Sequence, residues 1–219
     1  MMNRKTHTIL NIFGRTPQPG VVKTRLIPEL GADGALRAHR TLLTHVFRNA
    51  RTWQKVGKRR DGRRCIWLWG VPDAHNSLFV KMLPCGKRLR QPGGGLGPGL
   101  FRASQLSLRM ANRIILLGGD APSVDAGRLH EMECELEQSD AVLIPAEDGG
   151  FVALGLSCWH PALFRGICWG STSVCDEVRK RFNRLGIRWR ELAPLWDVDR
   201  PEDWQRYRRW ISPTTPGVA

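Results

Sequence analysis

The run Ile114-Ile115-Leu116-Leu117, closed by Gly118-Gly119-Asp120, constrains the fold more than any other segment. Four aliphatic residues in a row show no polar alternation, so a strand built from them must be covered on both faces. That is the condition of a central strand in a sheet sandwiched between helices. Two glycines end the run, and the first charged residue after it is Asp120. Open α/β sheets bind their ligands at the carboxyl ends of their strands. Asp120 therefore stands where a carboxylate can hold a divalent metal and, through it, a diphosphate. Capping of a helix that begins near Ser123 is the competing role for this residue.

The rest of the chain alternates in the same way. Strands are expected at 8–13, 65–69, 140–145, 151–156 and 187–192, with 151–156 able to return antiparallel after the turn Glu147-Asp148-Gly149-Gly150. Helical spacing is expected over 32–50, with Leu36, Leu42, Leu43, Val46 and Phe47 on one face, and over 73–82, 101–111, 126–136, 173–185 and 201–210. Pro201 fits a first helical turn, and Glu202 and Asp203 lie near that helix's positive end. The glycine- and proline-rich stretch 92–99 reads as a loop without regular structure. The pattern predicts an α/β fold with a mixed, mainly parallel sheet and helices on both faces. Its extent predicts a single domain over 1–211 and a flexible tail over 212–219.

No apolar run reaches the ~20 residues of a membrane span, and no signal-peptide core follows Arg4 and Lys5, so the expected location is cytoplasmic. The six cysteines form no Cys-x-x-Cys, and neither they nor the six histidines show a zinc-site spacing. The net charge of +14 admits nucleic acid, anionic membrane or phosphorylated substrates as partners. Its two concentrations, 51–64 and 179–209, contain no recognised nucleic-acid motif. They read as solvated basic surface, the first as a surface loop.

Chemistry concentrates in the loop after the first strand, Phe13 to Leu26, which holds Arg15, Lys23 and Arg25 among glycines and prolines. An Arg grips phosphate through its fork and a Lys acts as a point charge. The loop has neither a Gly-Lys-Ser/Thr phosphate motif nor a Gly-x-Gly-x-x-Gly dinucleotide fingerprint.

Five segments taken together resemble a known family: Phe13 to Leu26, Gly118 to Pro122, Pro145 to Phe151, Trp169 to Ser171 and Asp197 to Asp203. In this order they look like the bacterial glycosyltransferase-like proteins known as radical-SAM/selenodomain-associated transferases, some of them of the arsenosugar-biosynthesis type. That family is similar to nucleotide-diphosphosugar transferases. The resemblance implies a glycosyltransferase A-type, Rossmann-like fold. It implies that Phe13, Arg15, Lys23, Arg25 and Gln91 serve the nucleotide and its phosphates, and that Asp120 and Asp199 hold Mg²⁺ or Mn²⁺. Asp120 and Asp148 would be the catalytic carboxylates, and Gly149, Gly150 and Trp169 would lie near the sugar or acceptor. The pattern breaks at one place: the family's Asp and Arg in the segment after Gln91 are Gly95 and Gly99 here.

The function expected is a metal-dependent transferase using a nucleoside-diphosphate sugar and a small-molecule acceptor. A nucleotidyltransferase that releases pyrophosphate and a nucleotide-binding protein without activity are the alternatives. Purely structural roles stay open beside these: a tight turn for Asp148, a helix cap for Asp199 and a wall aromatic for Trp169.

Overall fold

A computed structural model describes residues 7–57, 63–84 and 86–212. Along the chain the elements are β1 (His7–Arg15), α1 (Ile27–Gly57), β2 (Arg63–Val71), α2 (Ser77–Met82), β3 (Lys87–Arg90), α3 (Leu96–Leu108), β4 (Arg113–Gly118), α4 (Ala126–Glu135), β5 (Ala141–Pro145), β6 (Phe151–Leu156), α5 (Val174–Arg184), β7 (Trp189–Glu191) and α6 (Pro201–Ile211). The strands form one sheet in the order β3-β2-β1-β4-β6-β5-β7. All neighbours are parallel except β6, which runs antiparallel to both β4 and β5.

The pleat sends alternate strand residues to opposite faces, and each face has its own helices. Leu10, Ile12, Ile66, Leu68, Ile115 and Leu117 pack under Val46, Phe47 and Trp53 of α1, Phe79 of α2 and Met132 of α4. Ile9, Trp67, Trp69, Ile114 and Leu116 pack under Leu100 and Ala103 of α3 and Val178 and Phe182 of α5. Helix α6 lies against α1, with Tyr207 and Val198 closing on Leu42.

Several expectations are corrected. Helix α1 runs beyond 32–50 at both ends, with a break at Gly31 (φ 68°, ψ 169°). Its last turns take in part of the basic stretch read as a loop, because Trp53 there is fully buried. Arg64, at the start of β2, stacks on Trp53 and pairs with Glu133 of α4. Residues 58–62 of that stretch lie outside the described residues, as does the expected tail beyond Ser212. Helix α3 starts at Leu96 rather than 101, inside the segment read as irregular. Pro98 falls in its first turn, where a missing N–H costs nothing. The side chain that caps α4 is Asp125, which accepts from the Arg128 N–H, and not Asp120. The second basic concentration is partly paired on the surface: Arg179 pairs with Asp176 and Glu191, Lys180 with Glu177, Arg188 with Asp140 and Arg206 with Glu147. Among the described residues no helix is long and apolar enough to cross a membrane.

Candidate functional site

Strand β1 lies between β2 and β4, so the chain leaves it toward one side of the sheet and returns on the other. The carboxyl ends of β1 and β4 bound the crevice opened by that reversal. The Gly119 N–H donates to the Phe13 carbonyl at 2.8 Å. A Cβ at Gly119 would sit 2.6 Å from that oxygen, so only glycine allows the two strand ends to close here.

The crevice is a cavity of about 710 Å³. Its lining includes a charged group, Arg15, Lys23, Arg25, Asp120, Asp197 and Asp199, and a set of apolar and neutral residues, Phe13, Val71, Pro72, Gln91 to Leu96 and Leu100. Main-chain bonds bring the carboxylates together from distant parts of the sequence. The segment after β7 runs beside the end of β5 through Leu195 N to Pro145 O (3.0 Å), then crosses to the end of β4 through Val198 N to Asp120 O (3.0 Å). The Ser123 hydroxyl fastens the crossing by donating to the Trp196 carbonyl. Asp197 and Asp199 thereby flank the Val198–Asp120 link.

Lys23 reaches into this group from the loop after β1. Its ammonium lies 2.7 Å from Asp120 Oδ2 and 3.8 Å from Asp199 Oδ1, and its side chain is 6% exposed. Burial works against its charge, but Asp120, then Asp199 and Asp197, hold its pKa above the ordinary lysine value. Partial burial works against the Asp120 charge as well, yet Lys23 keeps that carboxyl below its usual range. Arg25 pairs with Asp199. The side chain of Asp199 is therefore engaged in ion pairs; the carboxylate that caps the start of α6 is Asp203, which accepts from the Asp199 and Arg200 N–H groups. Arg15 lines the cavity and forms no ion pair with any described residue.

Sequence reasoning did not single out two groups of this site. Asp197 is pushed up to about 7, first by burial and then by the charges of Asp120 and Asp148. The signal was available, since it opens the Asp197-x-Asp199 pair. His39 of α1 lines the cavity and is 6% exposed. Burial holds it below the ordinary histidine value, so Nε2–H donates to the Arg15 carbonyl at 2.9 Å and braces the loop. The Thr16 hydroxyl does the same from the other side, bonding Asp73 O and N at 2.9 and 3.0 Å.

Of the residues expected at the site, Phe13, Arg15, Lys23, Arg25, Gln91, Asp120 and Asp199 line this cavity; Asp148, Gly149, Gly150 and Trp169 do not. Asp148 accepts from the Gly150 N–H at 3.0 Å, a tight turn. Trp169 packs between Phe151 and Phe164, against Gly97 of α3 so closely that a Cβ there would lie 2.1 Å from its Nε1. The Gln91 amide donates through Nε2 to the Trp69 carbonyl at 2.9 Å. Its Oε1 then points toward Gly99, 3.2 Å from where a Cβ would be.

Gly95, one of the two departures from the family pattern, has φ 93°. An L side chain is strained there whatever the space around it. Gly95→Asp is expected to lower stability by about 1 kcal/mol, whereas Gly99→Arg, inside α3, carries no such backbone strain. Separate thermal melts of the two variants check this; equal stability of Gly95→Asp and the natural chain would contradict it.

Asp120 and Asp199 offer hard carboxylate oxygens that share one cation, Lys23. Among the described residues no group of three or more His, Cys, Asp or Glu side chains is placed to hold a metal. The protein can thus contribute one or two carboxylates, the pattern of a Mg²⁺ or Mn²⁺ completed by phosphate and water rather than of an all-protein cage. On those terms the residues fit.

The fold is shared with solved structures. A protein provisionally assigned as a nucleotide-diphospho-sugar transferase from Desulfovibrio desulfuricans G20 superposes with a TM-score of 0.82 at 25% identity, covering 95% of this chain and 89% of that one. The 4-diphosphocytidyl-2C-methyl-D-erythritol synthase of Anaerococcus prevotii DSM 20548 gives a TM-score of 0.58 at 10% identity, covering 94% and 99%. Rv0371c of Mycobacterium tuberculosis H37Rv, in complex with manganese, gives 0.52 at 18% identity, covering 92% and 97%. No curated protein matches the chain. The architecture is the mixed, mainly parallel α/β sheet of the nucleotide-diphosphosugar transferase, glycosyltransferase A-like fold. Residues 52–171, more than half of the chain, match one family of bacterial proteins, and the chain belongs to it: the family described as "Uncharacterized protein conserved in bacteria (DUF2064)".

Proposed function

We propose that this protein is a transferase that binds a nucleoside-diphosphate sugar, together with Mg²⁺ or Mn²⁺, in the crevice between β1 and β4, and moves the sugar to a small acceptor. The reading takes residues 1–211 as one domain acting in the cytoplasm. The observation that carries it is the mixed lining of one cavity. Arg15, which ends β1 and has no ion pair among the described residues, lines it together with Lys23, Asp120 and Asp199, and so do the apolar and neutral Phe13, Val71, Pro72 and Gln91. A diphosphate calls for the first group, and a flat base is suited to the second.

The residues have separable tasks. Arg15 and Lys23 would hold the diphosphate and neutralise the charge that grows on it as the sugar leaves. Asp120 and Asp199 would hold the cation, which when bound would stabilise the same leaving phosphate. Phe13 and Gln91 would position the nucleotide by packing and hydrogen bonding. Asp148 and Trp169 lie outside the cavity wall, so a role at the acceptor would need the acceptor to extend past Phe151. The resemblance to the selenodomain-associated and arsenosugar-type transferases supports a sugar donor. The manganese complex of Rv0371c is consistent with a divalent ion on this fold.

A nucleotidyltransferase would use the same crevice with a nucleoside triphosphate, and the D. desulfuricans likeness favours the sugar reading over it. A binding protein without activity has Gly95 and Gly99 in its favour. A thermal-shift panel of nucleotide sugars and nucleoside triphosphates with Mn²⁺, followed by assay of the stabilising compound for turnover, separates the three. Stabilisation by a nucleotide sugar with release of free nucleoside diphosphate is the expected result. Stabilisation by triphosphates alone with pyrophosphate release, or binding with no turnover, would overturn it. In the same assay Arg15→Ala is expected to weaken a nucleoside diphosphate about tenfold, the loss of one charge-assisted contact, and to leave the free nucleoside unchanged.

A further inference from the structure

Two features of Lys23 go beyond simple phosphate binding. Among the described residues it is the one non-glycine with positive φ (48°, with ψ 46°), at the head of the short helical turn Thr24–Leu26. That backbone is disfavoured for a side chain with a Cβ and persists only where its surroundings hold it. What the strained turn delivers is an ammonium nearly shut off from water, 2.7 Å from Asp120 and 3.8 Å from Asp199. Arg25 occupies Asp199 from the solvent side. The two carboxylates that would hold the metal therefore already share a cation belonging to the chain.

We propose that Lys23 is a resident cation that keeps Asp120 and Asp199 closed to a divalent ion until the phosphates of a nucleotide draw its ammonium away, so that metal and nucleotide bind as an interdependent pair. The proposal rests on the reading of the crevice as a nucleotide site. A divalent ion coordinates a carboxylate oxygen at ~2.0–2.2 Å, and Lys23 already sits on Asp120 Oδ2. An ion arriving alone must displace that ammonium from its closest anion into a buried pocket where, once Asp120 and Asp199 hold the ion, Asp197 is the carboxylate left to it, or tolerate a like charge beside it. A nucleotide removes both obstacles. Its phosphates give Lys23 a new anion within reach of its flexible stem, and they supply the oxygens that complete the metal's shell. By linkage, each ligand then tightens the other by the same factor.

The test is Mn²⁺ binding, read from the electron paramagnetic resonance signal of the free ion, with folding checked by circular dichroism and melting. Lys23→Met keeps the length of the side chain and removes its charge; Lys23→Gln serves if the first variant does not fold. Without nucleotide, Lys23→Met is expected to bind Mn²⁺ at least tenfold more tightly than the natural chain. Calorimetric titration with an equimolar mixture of ADP, GDP, CDP and UDP is expected to show the opposite sign, the variant binding more weakly. Arg25→Ala removes a charge from Asp199 but not from Asp120, and is expected to change Mn²⁺ affinity less than threefold. Equal gains from the two variants would mean a general charge effect and would overturn the proposal. So would natural protein that binds Mn²⁺ alone as tightly as Lys23→Met; if Mn²⁺ still tightened its diphosphate binding, the functional reading would stand. If Mn²⁺ tightened diphosphate binding in no variant, both would fall.

Discussion

Replacing Asp197 by Asn is expected to raise the melting temperature, and the gain should grow with pH. Asp197 titrates near 7 in the folded chain, because burial and the charges of Asp120 and Asp148 oppose its ionisation, against about 3.9 unfolded. Between those two values the folded chain binds the proton and the unfolded chain does not. Stability contributed at this position therefore falls as pH rises from about 4 to about 7, and stays low above that. The whole shift corresponds to about 4 kcal/mol. The repulsion is shared with Asp120, so about half of it, ~2 kcal/mol, is expected from Asp197 alone. For a chain of this size that is on the order of 4–8 °C. Melts of Asp197→Asn and the natural chain, in metal-free buffer from pH 4 to 9, check this: curves that coincide at pH 4 and separate by pH 8 are expected. A constant separation, or a less stable variant at pH 8, would show that Asp197 does not carry the strain. A residue that costs stability in the lining of a cleft fits a functional role better than a structural one.

Periodicity read the layers of this fold well and its ends poorly. Ile114 to Leu117 had no polar alternation, and the structure buries all four, shared between the two faces of the sheet. The antiparallel return of 151–156 followed from the turn at Asp148-Gly149. Strand β3 was not legible, because Lys87-Arg88-Leu89-Arg90 is a charged edge strand with one apolar residue, and edges are where charge is tolerated. The start of α3 was hidden by glycine and proline, which stop a helix in its middle but not in its first turn. At the site, Asp120 was legible from its position after a buried strand. The company it keeps was not. Lys23 lies 97 residues away in sequence, and Asp197 and Asp199 reach it through the Val198–Asp120 main-chain link. Local pattern carries no information about such a link, so Asp197 stayed inside a recognised motif without a role, and the apposition of Lys23 to Asp120 went unseen.

That apposition sets the largest effect expected of any single substitution at the site. Asp120→Ala should destabilise the folded protein by about 3 kcal/mol. Breaking a buried ion pair by removing one partner costs about 3–5 kcal/mol, because the other charge stays buried without compensation. Lys23 is the partner left behind, with a side chain only 6% exposed, and Asp199 at 3.8 Å compensates in part, which places the cost at the low end. The reverse change should be milder. Asp120 is 37% exposed at its side chain, so Lys23→Met leaves a carboxylate that water can still reach. The double variant Lys23→Met/Asp120→Ala should then be more stable than Asp120→Ala alone, since it has no stranded ammonium. Denaturant unfolding of the three variants measures the cycle directly. If Asp120→Ala costs less than Lys23→Met, or if the double variant is the sum of the two singles, Lys23 is hydrated by some other route and the pair is not the electrostatic centre of the crevice. The expected asymmetry follows from exposure alone: the lysine depends on the aspartate more than the aspartate depends on the lysine, which leaves Asp120 able to exchange one cation for another.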